Sequence, residues 1–299
     1  MANLGFPHNT CIWIKSFLSD RSQRVRVGRH TSTSLSLSTG SPQGCVLSPL
    51  LYTLYTHNCT PAHRSNTMVK FADDTTVVGL ISKGNESAYR EEVVQLTEWC
   101  RENNLLLNTA KTQELVIDFR RNKTDITPLF INGDCVERVT SFRFLGVHIE
   151  EGLTWAVNTS ELLKKAQQRL YFLRVLRGNN ITQRLLVSFY RCSVESILTY
   201  CICLWYNSCT ADQRKKLQRV IKTAQKIVGC PLPSLEDLHR SRSSRKTQNI
   251  LMDSTHPGHS LFHLMPSGRR YRSIKSGTSR FCNSFYPSAV VTLNAAMRR

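Results

Sequence analysis

Two acids stand side by side in Phe71-Ala72-Asp73-Asp74, between the β-rich runs Met68–Ala72 and Thr75–Ile81. Adjacent carboxylates repel one another unless a cation neutralises them. A hard divalent ion such as Mg2+ prefers oxygen ligands of this kind and keeps coordination sites for phosphate. Two such ions about 4 Å apart stabilise both the attacking and the leaving oxygen in phosphoryl transfer. Exposed turns also favour Asp for its local hydrogen bonding, so the pair has an ordinary turn reading beside the metal one. The flanking runs predict a β-hairpin with both acids at its tip.

The remaining metal-binding residue types are less ordered. The 11 cysteines show no paired CxxC spacing and read as reduced, mostly buried residues. Cys192, Cys201, Cys203 and Cys209 invite a zinc reading, but no pair has a chelating turn between its members. None of the nine histidines has Asp two residues on; His148-Ile149-Glu150 comes nearest.

The elements around the acid pair follow from hydrophobic periodicity. Cys11–Leu18 predicts a short helix. Gln23–Gly28 and Leu35–Thr39 predict strands of one hairpin, and Gly40–Gly44 a loop. Cys45–Tyr55 predicts a buried helix despite Pro49. Glu86–Asn103 predicts a helix with Tyr89, Val93, Leu96 and Cys100 on one face. Strands are expected at Glu114–Phe119, on both sides of the Asn132-Gly133 turn, and at Phe142–Ile149. Three helices follow, Glu161–Leu176, Gln183–Tyr206 and Ala211–Val228. In the middle one, Leu186, Tyr190, Val194, Ile197, Cys201 and Leu204 predict a single apolar stripe. From Pro231 onward the chain is rich in Pro, Ser, Arg and His, with little periodicity. The expectation is an α+β unit over 1–150, a helical unit over 151–230, and a basic, loosely structured region over 231–299.

The charge narrows the class of partner. Forty Lys and Arg against 21 Asp and Glu leave a net +19 on 299 residues. Such an excess attracts polyanions, nucleic acid first among them, unless it is only an inert basic surface. Arg21, Arg24, Arg26, Lys164, Lys165, Arg169, Arg214, Lys215 and Lys216 are candidates to meet phosphates. Trp155, Trp205 and Tyr206 are candidates to stack on bases, with core burial as the competing expectation. Residues 1–8 carry no secretory-signal pattern, and the most apolar window, Leu185–Tyr206, is interrupted by Arg191 and Glu195. The expectation is a nuclear or cytoplasmic chain without a membrane segment.

The order of motifs sharpens the reading. Ser41-Pro42-Gln43-Gly44 precedes the acid pair by about thirty residues, counting along the sequence. Asn108-Thr109-Ala110-Lys111-Thr112 and Phe144-Leu145-Gly146-Val147 follow it. With Trp13-Ile14, Val25-Arg26-Val27-Gly28, Lys165–Leu170 and Pro266–Tyr271, this series resembles the reverse transcriptases of LINE-type, non-LTR retrotransposons. The resemblance implies an incomplete right-hand polymerase palm, an antiparallel sheet with helices, followed by a helical thumb and a basic tail. It implies RNA-templated DNA synthesis, with Asp73 and Asp74 as ligands of a two-metal Mg2+ site. Ser41, Pro42, Gln43 and Gly44 would face the incoming dNTP and the template. Lys111 would stand near the triphosphate as a catalytic proton donor or charge partner, and Phe144, Leu145 and Gly146 would grip the primer. RNA template and DNA primer are the implied partners.

Two departures qualify that expectation. The family's third carboxylate lies on a strand upstream of the 40–44 loop, yet Asp20 is the single acid in residues 1–72 and sits at a helix end. The fingers and the endonuclease domain of such proteins are expected to be missing from this stretch as well. An isolated chain of this kind is therefore expected to have negligible polymerase activity and to expose apolar surface around Leu47–Leu54 and Val77–Ile81. Two other readings stand beside it. One is a non-catalytic nucleic-acid-binding remnant. The other starts from Glu161–Tyr200, which resembles the N-terminal segment of AlkB homologue 8, a protein with dioxygenase and methyltransferase domains. The iron triad HxD…H that a 2-oxoglutarate dioxygenase needs has no match in the sequence.

Overall fold

The computed structural model describes residues 4–121 and 126–297, and these divide into two compact units. One unit comprises 1–112 with 124–137, the other 113–123 with 138–299.

The first unit begins with α1 (His8–Leu18), which ends at Asp20, in a left-handed conformation with φ +51°. Short strands follow: β1 (Arg21–Gln23), β2 (Arg26–Val27), β3 (His30–Thr31) and β4 (Leu35–Leu37). They pair as two stacked ribbons of one long hairpin, β2 with β3 and β1 with β4. Next come α2 (Leu47–Tyr55), β5 (Asn66–Phe71), β6 (Asp74–Gly79) and α3 (Ser87–Glu102). Strands β5 and β6 are antiparallel partners from Asn66↔Gly79 to Phe71↔Asp74. The chain then gives β7 (Gln113–Leu115) to the second unit, and β8 (Phe130–Ile131) and β9 (Asp134–Cys135) return to the first around the Asn132-Gly133 turn. Both turn residues have positive φ, as a type I′ hairpin requires. The small core here is Val93 of α3 with Leu129, Ile131 and Val136.

The second unit opens with β10 (Glu137–Val139), paired to β7, and the hairpin β11 (Ser141–Phe144) and β12 (Val147–Glu150). Helices α4 (Ala156–Gly178), α5 (Gln183–Phe189), α6 (Ser196–Leu198), α7 (Ile202–Trp205) and α8 (Ala211–Val228) pack around the main core. Helix α8 starts at a reciprocal capping box between Thr210 and Gln213 and stops at Gly229, φ +75°. Then come α9 (Leu235–Met252), α10 (Ser279–Cys282) and α11 (Phe285–Ala296).

Several expectations need correction. Among the described residues every sheet is two-stranded, so separate ribbons stand where one antiparallel sheet was expected. The strand expected at Glu114–Phe119 extends only over Gln113–Leu115. Phe142–Ile149 is a tight hairpin and not one strand, because Leu145 and Gly146 both adopt positive φ. Helix α2 is not buried: none of its residues is, and Leu50 is 54% exposed. A two-stranded ribbon covers one side of a helix at most, which leaves the apolar far side uncovered.

The stripe over 183–206 is right for its first half and wrong for its second. Leu186, Tyr190, Val194, Leu198, Ile202 and Trp205 form the buried stripe, with Thr199 and Tyr206 buried beside it, while Cys201 and Leu204 are exposed. The backbone widens to a π-helix over Tyr190–Glu195, then breaks at Cys201, φ +48°. A π turn advances the inward-facing position to every fourth residue, which shifts the stripe by one. This stretch, Gln183–Ser208, has the length and apolarity to cross a membrane, but those six side chains fill the core of the unit itself. Trp155, Trp205 and Tyr206 are buried in the same core. The region expected to be loosely structured holds α9, α10 and α11 within residues 231–297. Helix α9 buries only Leu235, Thr247 and Ile250, a pattern too sparse to read from periodicity, and Ile250 joins Phe262, Ala289 and Val290 in a third core.

Candidate functional site

The acid pair sits on the β5–β6 hairpin. The closing pair Phe71↔Asp74 leaves Ala72 and Asp73 as the two-residue turn. Ala72 has φ +51°, a conformation that costs an L residue about 1 kcal/mol, so the turn is held by its surroundings. Asp73 lies at the tip and Asp74 is the first residue of β6; both are exposed.

Three contacts fix the hairpin. At its base the buried Glu92 of α3, 2% exposed, accepts hydrogen bonds from the Ala62 and His63 backbone N–H groups and the Asn66 side-chain amide. Burial alone would push the Glu92 carboxyl up, but those donors outweigh it and hold it below its ordinary value. The Asn66 amide also donates to Ala88 O at 2.9 Å. Along β5, Lys70 Nζ donates to the carbonyls of Thr56, at 2.6 Å, and Cys59, at 2.9 Å, just beyond α2. Near the tip, burial and then the Asp73 charge push the Tyr52 hydroxyl of α2 above its ordinary pKa.

The 40–44 loop is tied to the same helix. The Arg21 guanidinium donates to Thr39 O at 2.8 Å and to Gly40 O at 2.7 Å, while its Nε donates to Leu18 O. Ser48, in the first turn of α2, donates to Pro42 O at 2.5 Å and meets the Cys45 thiol at 2.9 Å. The hydroxyl holds that thiol below its ordinary pKa. Gly40 and Gly44 have φ of +70° and +80°, and a side chain at Gly44 would meet only open space. The steric room is there, and the backbone angle is what calls for glycine. Gln43 is exposed; Ser41 and Pro42 are partly buried.

One helix therefore carries both features. Ser48 holds the loop and Tyr52 feels the charge of Asp73; four residues apart, they are separated by about 6 Å along the axis. Lys111 ends a 3-10 turn capped by the Asn108 side chain and is exposed, with no hydrogen bond to either acid among the described residues. Phe144, Leu145 and Gly146 form the β11–β12 turn in the second unit. There Tyr200 Oη donates to Leu145 O at 2.7 Å, and its ring lies 3.3 Å from where a Gly146 side chain would begin. Tyr200 and Glu92 are positioning residues that sequence reasoning missed. Glu92 stands within a helix among surface-type residues, and Tyr200 depends on the helix break at Cys201.

The donor chemistry fits a hard divalent cation in part. Two exposed carboxylates suit Mg2+, which is commonly bound through one or two carboxylates together with phosphate oxygens. Among the described residues no group of three or more His, Cys, Asp or Glu gathers to hold a metal.

Several exposed cations are already engaged, Lys164 with Glu161, Lys216 with Asp212, and Arg26 with its own turn at Gly28 O. Arg214 donates to Asn207 O and lies over the Tyr206 ring. Arg24, Arg169 and Lys215 are exposed with no ion pair among the described residues.

Residues 1–149 match the family described as reverse transcriptase (RNA-dependent DNA polymerase). Residues 155–196 match the N-terminal segment of alkylated DNA repair protein alkB homolog 8. That second match covers helical core, from the start of α4 to the start of α6. In Drosophila melanogaster, the "Probable RNA-directed DNA polymerase from transposon BS" is 26% identical over 229 residues, covering 73% of this chain. The corresponding protein from transposon X-element is 25% identical over 227 residues, again 73% of this chain. The RNA-directed DNA polymerase from mobile element jockey is 24% identical over 240 residues, 76% of this chain. The chain spans about a quarter of the length of these relatives, 25%, 25% and 26% respectively. No solved structure gives a significant match. With its first half matched by the polymerase family and these mobile-element enzymes aligned over most of its length, the chain belongs to the reverse transcriptases of non-LTR, LINE-type retrotransposons.

Proposed function

We propose that the chain supplies part of the palm and the thumb of an RNA-directed DNA polymerase, a nucleotidyltransferase acting on an RNA template, a DNA primer and dNTPs. The observation that carries this is the helix α2, whose Ser48 holds the glycine-bearing loop and whose Tyr52, one turn on, has its hydroxyl raised in pKa by burial and then by the Asp73 charge. In this reading Asp73 and Asp74 hold Mg2+, which when bound would offset the charge of the triphosphate. The exposed Gln43 and Gly44 lie open to a base pair, and Gly44 lets it approach closely. Lys111 faces the triphosphate and balances the departing pyrophosphate. The hairpin at Phe144–Gly146, stiffened by Tyr200, bears on the primer. Helices α4 to α8 act as the thumb, holding the duplex by its phosphates. Such work accords with a nuclear or cytoplasmic location.

With two carboxylates and no third gathered beside them among the described residues, the chain alone is expected to show negligible extension. Metal-directed cleavage tests the site without needing turnover. Fe2+ with ascorbate should cut the chain near residues 71–76, Mg2+ should compete, and Asp73→Asn with Asp74→Asn should abolish the cut. Absence of cleavage there in the unmodified chain would remove the metal site and the polymerase reading with it. Mg2+-dependent primer extension by the isolated chain, lost in Asp73→Asn, would overturn the expectation of inactivity.

A non-catalytic nucleic-acid-binding role is the second reading. It is favoured by the exposed, unpaired Arg24, Arg169 and Lys215, whose charge does not depend on a complete metal site.

A further inference from the structure

The sequence from residue 254 to the end contains no Asp or Glu, yet it carries Arg269, Arg270, Arg272, Lys275 and Arg280 within twelve residues. A solvated basic tail would need no scaffold. Here the cations sit on one. Leu264 and Tyr271 form an antiparallel bridge, with Met265 N donating to Arg270 O at 2.8 Å and Arg272 N to His263 O at 2.7 Å. The turn between them closes through Gly268 N to Met265 O, 2.8 Å, with Gly268 at φ +67°. Asn294 of α11 then clamps Tyr271 from both sides, accepting from its N–H at 2.7 Å and donating to its carbonyl at 3.0 Å. The Tyr271 ring packs edge-on to Phe262, and Ile274 packs on the same core with Ile250 and Val290.

With Tyr271 and Ile274 committed inward, Arg269, Arg270, Arg272 and Lys275 are exposed, and none makes an ion pair among the described residues. Uncompensated like charges this close repel one another, so an ordered turn that gathers them carries a standing cost that a bound polyanion removes. In the same unit, the Arg280 guanidinium lies 4.1 Å over the ring of Phe119, itself 57% exposed. An arginine fork grips phosphate through two parallel hydrogen bonds, and its plane stacks on unpaired bases; an ammonium does neither. Four of the five cations are arginines, which favours unpaired nucleic acid over a lipid headgroup surface.

We propose that the bridged turn Leu264–Lys275 is a binding site for single-stranded RNA, distinct from the acid-bearing hairpin. The choice of RNA over DNA rests on the polymerase reading above; the existence of the site does not.

The test uses the full chain and a mixed-sequence oligoribonucleotide of 20 nucleotides, followed by fluorescence anisotropy across a salt series. In the combined variant Arg269→Gln, Arg270→Gln, Arg272→Gln, the slope of log affinity against log salt should fall by about two, at about 0.7 per phosphate contact. Affinity at moderate salt should fall at least about tenfold, as three lost phosphate contacts require. The melting temperature should be unchanged, since all three side chains are exposed. The combined lysine variant should keep the slope and still bind less tightly. An unchanged slope and affinity in the glutamine variant would overturn the proposal. So would a variant that loses binding to phosphatidylserine vesicles but keeps it for RNA, or equal binding of the unmodified turn to duplex DNA. Failure of Fe2+ cleavage at residues 71–76 with a normal loss of RNA binding here would sink the polymerase reading alone. Normal cleavage with no loss here would sink this inference alone.

Discussion

Removing Glu92 should loosen the acid-bearing hairpin without touching the helical unit. Its carboxylate is 2% exposed and accepts from three donors, the Ala62 and His63 N–H groups at 3.0–3.1 Å and the Asn66 amide at 3.0 Å. A hydrogen bond to a charged acceptor contributes about 1.5–3 kcal/mol, and losing one member of a buried charged cluster costs about 3–5 kcal/mol. Relief of the buried charge offsets part of that, so Glu92→Ala should destabilise the region by about 3 kcal/mol, or about 100-fold in local opening. Hydrogen–deuterium exchange reads this directly: amides over 60–79 should lose that much protection while α4 and α8 keep theirs. Glu92→Gln, which keeps the size and one acceptor, should fall between. The pH dependence has a definite sign. The folded carboxyl lies below its ordinary 4.5, so the unfolded chain binds the extra proton first. The stabilisation is complete above that ordinary value and is lost as pH falls through the lower folded one; the Ala variant should lack this acid-sensitive step. Protection over 60–79 that is the same in Glu92→Ala and the unmodified chain, or an equal loss in α4 and α8, would refute the reasoning.

Two further substitutions probe the helical unit. The Tyr190 hydroxyl is fully buried with no hydrogen-bond partner among the described residues, so Tyr190→Phe should raise stability by about 1 kcal/mol, read as a higher melting temperature; a clear drop would reveal a partner for that hydroxyl. Gly146 has φ +88° and faces Tyr200 at 3.3 Å, so Gly146→Ala should weaken the β11–β12 hairpin by about 1–2 kcal/mol, seen as faster exchange over 141–150. Unchanged exchange would mean that the turn relaxes freely.

Local sequence carried much of the arrangement. The β-rich runs around Phe71–Asp74 and the Asn132-Gly133 dipeptide specify hairpins because their preferences act over a few residues. Helices α1, α3, α4 and α8 follow from apolar spacing, and the ordered motifs pointed to the polymerase family before any contact was known. The excess of positive charge needs no fold at all. Other features depend on distant contacts. The π turn at Tyr190–Glu195 and the break at Cys201 arise from packing around α4, and they redirect a stripe that periodicity had carried straight on to Leu204. Glu92 looks like a surface residue in sequence and becomes a buried anchor because Ala62, His63 and Asn66 converge on it. The Arg269–Lys275 turn reads as loose basic chain until Asn294 and the Phe262 core pin its backbone. In each case the deciding energy comes from groups many residues away, and a local pattern carries no record of them.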